Sequence, residues 1–170
     1  RLPDNLRLLT FGGGYPELYA QELSANQPLL RSIRDFAGAE HPVYAECGGL
    51  VYLTQGIQTA DGIFHPLAGL LPGSVRMQKK LVMGYRTIQA SRDNWLFPAG
   101  QPFKGHEFHY SVWKNPQPAS AFLEMHSATA ATLTENTGYT DGNIIASYIH
   151  VHFAQNPLLA QNFVRKALEA

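Results

Sequence analysis

Pro42-Val43-Tyr44-Ala45-Glu46-Cys47-Gly48-Gly49-Leu50-Val51-Tyr52-Leu53 holds the single cysteine of the chain and sets it at an abrupt change of pattern. Val43-Tyr44-Ala45 is a short β-prone run. Two glycines follow the cysteine and open the apolar segment Leu50-Val51-Tyr52-Leu53, which reads as the first turns of a helix. Strand, sharp turn, helix is an order that lifts the turn residue out of the sheet, and small neighbours let the backbone double back. A helix beginning just after Cys47 points its N-terminal amides at the sulfur, an arrangement that favours thiolate over thiol. Gly48 offers an unobstructed backbone N–H, a donor of the oxyanion-hole type. The competing reading is a small buried hydrophobe, the usual role of a lone cysteine. A carboxylate on one side and two glycines on the other, at a strand-to-helix turn, weigh toward a nucleophile.

Upstream, Leu6 to Phe11 is apolar enough for a buried strand and runs into Gly12-Gly13-Gly14. A strand ending in glycines puts a loop at the carboxyl edge of a sheet, where open α/β sheets bind ligands, so this loop and the Cys47 turn are expected to face one cleft. A plain tight turn is the alternative; a phosphate loop is disfavoured because no Gly-Lys-Ser/Thr follows. Between the two, Asn26 and Pro28 start a helix whose Leu29, Leu30, Ile33, Phe36 and Ala37 share one face before Gly38 stops it. Strand, helix, strand, helix is an α/β unit with a parallel sheet.

Downstream, helical periodicity is absent from Gly56 to Ser111. Runs such as Lys80 to Ile88, with loops near Asp61-Gly62, Pro72-Gly73 and Pro98-Ala99-Gly100, predict hairpins or an antiparallel extension. Arg76, Lys79 and Lys80 fit a solvated strand face. Gly105 to Ser111 reads as a strand in which His106, Phe108 and Tyr110 lie on one face and Glu107 and His109 on the other, so a metal site using both histidines is awkward. Asn115 to Ser120 is a Pro-rich loop and Phe122 to Met125 a strand. Tyr139 to Asn143 forms a turn of hairpin type before Ile144 to Ser147. His150 follows that β-prone run, and Asn156-Pro157 caps a last helix whose Leu158, Leu159, Phe163, Val164, Ala167 and Leu168 are expected to pack inward.

A length of 170 residues, 45% of them hydrophobic, suits one domain with its own core. Thirteen basic residues balance thirteen acidic ones, which argues against a nucleic-acid partner. One cysteine excludes an internal disulfide and agrees with a reducing compartment. No apolar run approaches the roughly 20 residues of a membrane-spanning helix. Arg1 to Asn5 lacks the apolar core of a signal peptide, and the cytoplasm is the expected location, with no membrane partner.

The Cys47 segment also resembles the nucleophile motif of the glutamine amidotransferase domain of cobyrinic acid a,c-diamide synthases, which are class I (triad-type) amidotransferases. Phe11 to Leu18, Gly105 to Ser111 and Ser147 to Phe153 are similar to the other signatures of that family, in the same order and over nearly the whole chain. The resemblance implies a three-layer, flavodoxin-like α/β fold, with a mostly parallel sheet flanked by helices and an antiparallel extension. It implies Cys47 as nucleophile, His150 as proton carrier, and Gly13, Gly14 and Gly48 at the oxyanion and glutamine site. Glu107 and His109 fall near the cleft, where they would order glutamine or the histidine, or simply pair with each other. The wider class carries a glutamate two residues after the histidine; here that position is His152, leaving the third triad member open, with Glu107 or a backbone carbonyl as substitutes and His152 as an alternative base.

The implied substrate is L-glutamine, with no cofactor or metal in this domain. The implied partner is an ATP-dependent amidoligase domain, binding Mg-ATP and a cobyrinate-type tetrapyrrole, of which residues 1–170 carry no phosphate loop; the first strand and helix of the amidotransferase domain are expected to be missing too. Alternatives are the glutaminase domain of a related amidoligase such as nickel-sirohydrochlorin a,c-diamide synthase, a silent docking or regulatory domain, and a cysteine hydrolase for another amide or ester.

Overall fold

The computed structural model describes residues 1–113, 121–127 and 133–170; the Pro-rich loop expected at Asn115 to Ser120 lies outside the described residues. In chain order come β1 (Leu9–Phe11), α1 (Ala20–Ala25), α2 (Gln27–Gly38), β2 (Val43–Glu46), α3 (Gly48–Leu53), β3 (Gly56–Gln58), β4 (Phe64–Pro66), β5 (Val75–Ala90) and β6 (Pro102–Trp113). They are followed by β7 (Leu123–Ser127), β8 (Leu133–Thr137), β9 (Tyr139–Asp141), β10 (Ile144–Ser147), β11 (His150–Val151) and α4 (Pro157–Glu169).

β2 is central to the first sheet, ordered β1-β2-β10-β9, and pairs in parallel with both β1 and β10. Parallel strands are covered on both faces and so are apolar throughout, and alternation along β2 and β10 divides the core. Val43, Ala45, Ile144 and Ala146 join Leu30 and Ile33 of α2 and Leu50 and Leu53 of α3 on one side. Tyr44 and Ile145 join Ile88, Phe97, Phe103, Phe122 and Leu159 on the other. The expected α/β layering is present, and β9 closes the edge as the predicted hairpin, with Gly142 at φ 53° in its turn.

The extension is a seven-stranded sheet, ordered β11-β6-β5-β3-β4 with β7 and β8 attached through β5. β5 and β6 form a long antiparallel ribbon whose register shifts between Met77 and Val82, and Arg76, Lys79 and Lys80 are exposed along it. β11 belongs to this sheet, where His150 pairs with His106 of β6. Two residues after β10 leaves the parallel sheet, the chain has therefore entered the antiparallel one. His150 sits where the two sheets meet.

α2 begins as expected, with the Asn26 side chain accepting from the Leu29 N–H at 3.3 Å, and Leu30, Ile33 and Ala37 are buried. Two expectations are corrected. The first strand covers only Leu9–Phe11 of the Leu6 to Phe11 run, because pairing with β2 begins at Leu9. In α4, Leu158, Val164 and Leu168 are 37%, 56% and 71% exposed. At about 100° per residue they fall away from Leu159, the residue that faces the core. Among the described residues no helix is long and apolar enough to cross a membrane.

Candidate active site

Cys47 takes φ 48° and ψ −105°, a conformation rare for a residue with a side chain. Such backbone costs on the order of 1–3 kcal/mol and persists only where surrounding bonds enforce it. Here the Cys47 N–H donates to Ser147 O at 2.8 Å, continuing the β2–β10 ladder, while the Val51 N–H donates to Cys47 O at 3.1 Å, starting α3. Strand and helix thus hold the turn from both sides, and the sharp bend read from the sequence is present.

The glycines permit close approach. A Cβ on Gly48 would stand 2.6 Å from Gly14 O and 2.7 Å from Gly14 N, and one on Gly49 would stand 2.4 Å from Phe11 O. The Cys47 turn and the glycine loop therefore touch backbone to backbone, the juxtaposition expected at the sheet edge. A Cβ on Gly13 would lie 2.3 Å from His150 Cε1, so the same loop also bounds the histidine.

His150 stands beside Cys47 and sets its Nδ1 3.6 Å from Glu46 Oε2, an ion-pair distance longer than a formed hydrogen bond. With Nδ1 turned to Glu46, Nε2 is the nitrogen left for sulfur. Interaction with Cys47, then with Glu46, pushes the imidazole up to about 9 against the opposing effect of burial. His106 stacks on the ring, centroids 4.7 Å apart. Glu46 is itself fixed, its Oε1 accepting from the Tyr44 hydroxyl at 2.6 Å and from the Val151 N–H at 3.0 Å. Burial opposes its ionisation, but His150, Tyr44 and Val151 outweigh that and hold the carboxyl below its ordinary value. Burial and the Glu46 charge push the Tyr44 phenol well up.

The alternation in β6 is as predicted: Glu107 is buried, whereas Phe108 and Tyr110 are 41% and 42% exposed. Glu107 accepts from Arg86 Nε at 2.8 Å and lies 3.9 Å from His109 Nε2. His109 Nδ1 donates to Ser111 O at 2.9 Å, and its ring stacks on Tyr148 at 3.8 Å. Glu107 thus pairs with Arg86, His109 keeps a buried Nε2 with no hydrogen-bond partner among the described residues, and the carboxylate that meets His150 is Glu46. The sequence signal for Glu46 was weak, a carboxylate beside the cysteine whose target is supplied by a strand far along the chain. His152 is exposed on the rim of a groove it shares with Tyr85, Lys104 and His106.

Beside the sulfur, whose S–H donates to Phe108 O at 3.6 Å, a cleft of about 30 Å³ is lined by Gly14, Tyr15, Glu17, Val51, Met77 and His109. A wider cleft of about 740 Å³ between Glu17 and Lys79 holds neither Cys47 nor His150. Among the described residues no group of three or more His, Cys, Asp or Glu is placed to hold a metal ion. A thiol on a strained turn beside an imidazole able to hold its proton, with the glycine loop close against both, is equipped for attack on a carbonyl carbon.

Comparison with known proteins agrees. The CobB/CobQ-like glutamine amidotransferase domain matches residues 1–158. The cobyrinate a,c-diamide synthase of Dehalococcoides mccartyi (strain CBDB1) is 43% identical over 96% of this chain and 36% of the relative. The enzyme of the same name from Salmonella typhimurium is 38% identical over 98% of this chain and 36% of the relative. The chain therefore spans about a third of the length of these curated relatives. Among solved structures, PurLQS from Thermotoga maritima superposes with a TM-score of 0.68 at 13% identity, covering 99% of this chain and 82% of that one. A crystal structure of a glutamine amidotransferase superposes at 0.64 and 17% identity, covering 96% and 80%. These two carry the fold alone.

Proposed function

The chain belongs to the CobB/CobQ-like glutamine amidotransferase domain family, and from that premise we propose that it is the ammonia-supplying domain of a cobyrinate-type (or hydrogenobyrinate) a,c-diamide synthase. The observation that carries the reading is the convergence of Cys47, on its strained turn, with His150 and the glycine loop.

A carboxamide is a weak electrophile with a poor leaving group, so its cleavage needs a thiolate, a proton for ammonia and donors for the oxyanion. Cys47 Sγ, as the thiolate whose proton the His150 ring holds, attacks the side-chain carboxamide carbon of glutamine, and the N–H groups of Gly48, Gly13 and Gly14 receive the negative oxygen of the tetrahedral intermediate. Because His150 is pushed up to about 9, its ring carries a proton at neutral pH, and that proton goes to the departing nitrogen. The C–N bond breaks, ammonia leaves, and a thioester on Cys47 remains. The now neutral ring takes a proton from water, whose oxygen attacks the thioester; glutamate departs as sulfur recovers its electrons.

Ammonia then serves a partner amidoligase domain, in which Mg-ATP activates carboxylates of a cobyrinate-type tetrapyrrole. The shared name of the relatives and the 64% of their length beyond this match, left by the 36% covered, support that assignment. The proposed setting is cobalamin biosynthesis in the cytoplasm.

The test is ammonia release from glutamine by the wild type and by Cys47→Ala, with and without an amidoligase domain, together with labelling by a glutamine-analogue affinity reagent. The expected result is activity and labelling that both vanish in Cys47→Ala. Hydrolysis that survives the substitution, or a folded complex whose Cys47 never reacts, rejects the reading.

A further inference from the structure

We propose that Glu46 is the positioning residue of this site: it fixes the tautomer and orientation of His150 from the strand that carries the nucleophile, in place of a glutamate two residues after the histidine. This rests on the glutaminase reading above.

His152 occupies the position two residues beyond His150, and it is exposed on the groove rim rather than placed behind the ring. The carboxylate on the ring comes instead from the residue before Cys47. Glu46 Oε2 is 3.6 Å from His150 Nδ1, while Oε1 is occupied twice, by the Tyr44 hydroxyl at 2.6 Å and the Val151 N–H at 3.0 Å. The two oxygens thus have separate tasks: Oε1 anchors the carboxylate to β2 and β11, and Oε2 faces the ring. Catalytic hydrogen bonds are often long without substrate, so 3.6 Å is compatible with closure to a formed bond on the reaction path.

The chemical consequence follows from donors and acceptors. A carboxylate only accepts, so facing Nδ1 it selects the ring form with a proton there and leaves Nε2 to exchange a proton with sulfur, ammonia and water. Because Glu46 and Cys47 are consecutive, the turn that lifts the sulfur also fixes where the carboxylate stands. The charged and titratable groups around the ring are Glu46 of β2, Cys47 at the turn and His106 of β6, with Tyr85, Lys104 and His152 along the groove that the ring helps line.

Glu46→Gln isolates this role. The amide oxygen still accepts from Tyr44 and Val151, so the anchor survives, while an NH2 group now faces Nδ1. The neutral ring must then place its proton on Nε2, the wrong nitrogen. The full chain, assayed with its amidoligase domain supplied, is expected to lose on the order of 10²–10⁴-fold in kcat, with KM for glutamine little changed and the pH profile shifted. Glu46→Asp restores the charge and is expected to recover part of that loss. Nitrogen-15 NMR supplies a readout independent of activity. In the wild type His150 is expected to titrate near 9, with the neutral ring protonated on Nδ1; in Glu46→Gln it titrates lower, with the proton on Nε2.

A Glu46→Gln enzyme with wild-type kcat and pH profile overturns the proposal, and if Cys47→Ala is inactive in the same assay, the glutaminase reading stands without it. Hydrolysis that survives Cys47→Ala overturns the glutaminase reading instead. If Glu46→Gln does not fold, or no preparation hydrolyses glutamine, the wild-type His150 titration decides: a neutral ring protonated on Nε2 overturns the role of Glu46.

Discussion

Gly13→Ala separates placement of the histidine from stability. Gly13 is outside the left-handed region, so its backbone accepts alanine; the obstacle is His150. The new methyl group would stand 2.3 Å from Cε1 and 3.3 Å from both ring nitrogens, against 3.4 Å for an ordinary contact. The ring is the mobile end of a side chain, so it yields, by about the 1.1 Å that separates 2.3 from 3.4 Å. A displacement of about 1 Å in a reacting group costs roughly 100-fold in rate, which corresponds to about 2.7 kcal/mol of barrier. Steady-state ammonia release should show that loss in kcat. The melting temperature at about pH 10, where the contribution of His150 to stability is already lost, should stay within about 3 °C, because no core residue is touched and surface changes are worth about 0.5 kcal/mol. Alkylation of Cys47 should confirm that the thiol is still accessible. A variant whose kcat stays within about threefold of wild type would refute the argument, since about 0.65 kcal/mol cannot correspond to a misplaced ring.

Gly48→Ala should act on stability as well, because its methyl group meets Gly14 backbone atoms at 2.6–2.9 Å and neither loop can turn aside; a loss of about 1–3 kcal/mol is expected in urea unfolding. Arg86→Met strips the buried Glu107 carboxylate of its 2.8 Å partner and should cost about 3 kcal/mol, with Arg86→Met/Glu107→Gln recovering much of it. Stability should peak between two limits. Glu46 and Glu107 are held below their ordinary 4.5, so their contribution is present above that value and is lost as acid protonates them in the folded state. His150 is raised from 6.5 to about 9, so its contribution is full below 6.5 and disappears as pH rises through 9. Melting temperatures from pH 3 to 10 read both limbs, and a His150→Gln chain that keeps the alkaline limb would rule out its assignment to this ring.

The local geometry of this site was legible because it is written in short-range preferences. Val43-Tyr44-Ala45 and Ile144-Ile145-Ala146 are apolar on both faces and became adjacent parallel strands. Cys47 between a strand and two glycines became a turn at positive φ, and alternation from Gly105 to Ser111 put Glu107 inside and Phe108 outside. Each outcome depends on torsions and burial within a few residues, which periods of 2 and 3.6 and the positions of glycine record.

Which distant residues meet is a different matter. The partnership of Glu46 with His150 required β10 to lie beside β2 in one sheet and β11, two residues later, to join β6 in another. Glu107 was one of the substitutes that the family resemblance left open, beside a backbone carbonyl, and Arg86 claimed it through the β5–β6 register. In α4 the apolar positions were visible but not which of them would be covered, since that depended on the one surface the helix meets. The sequence by itself determined the Cys47 turn, the parallel unit around it and the faces of β6; only the tertiary structure brought His150, Glu46 and Gly13 together, because strand order and register are set by contacts between segments that share no local pattern.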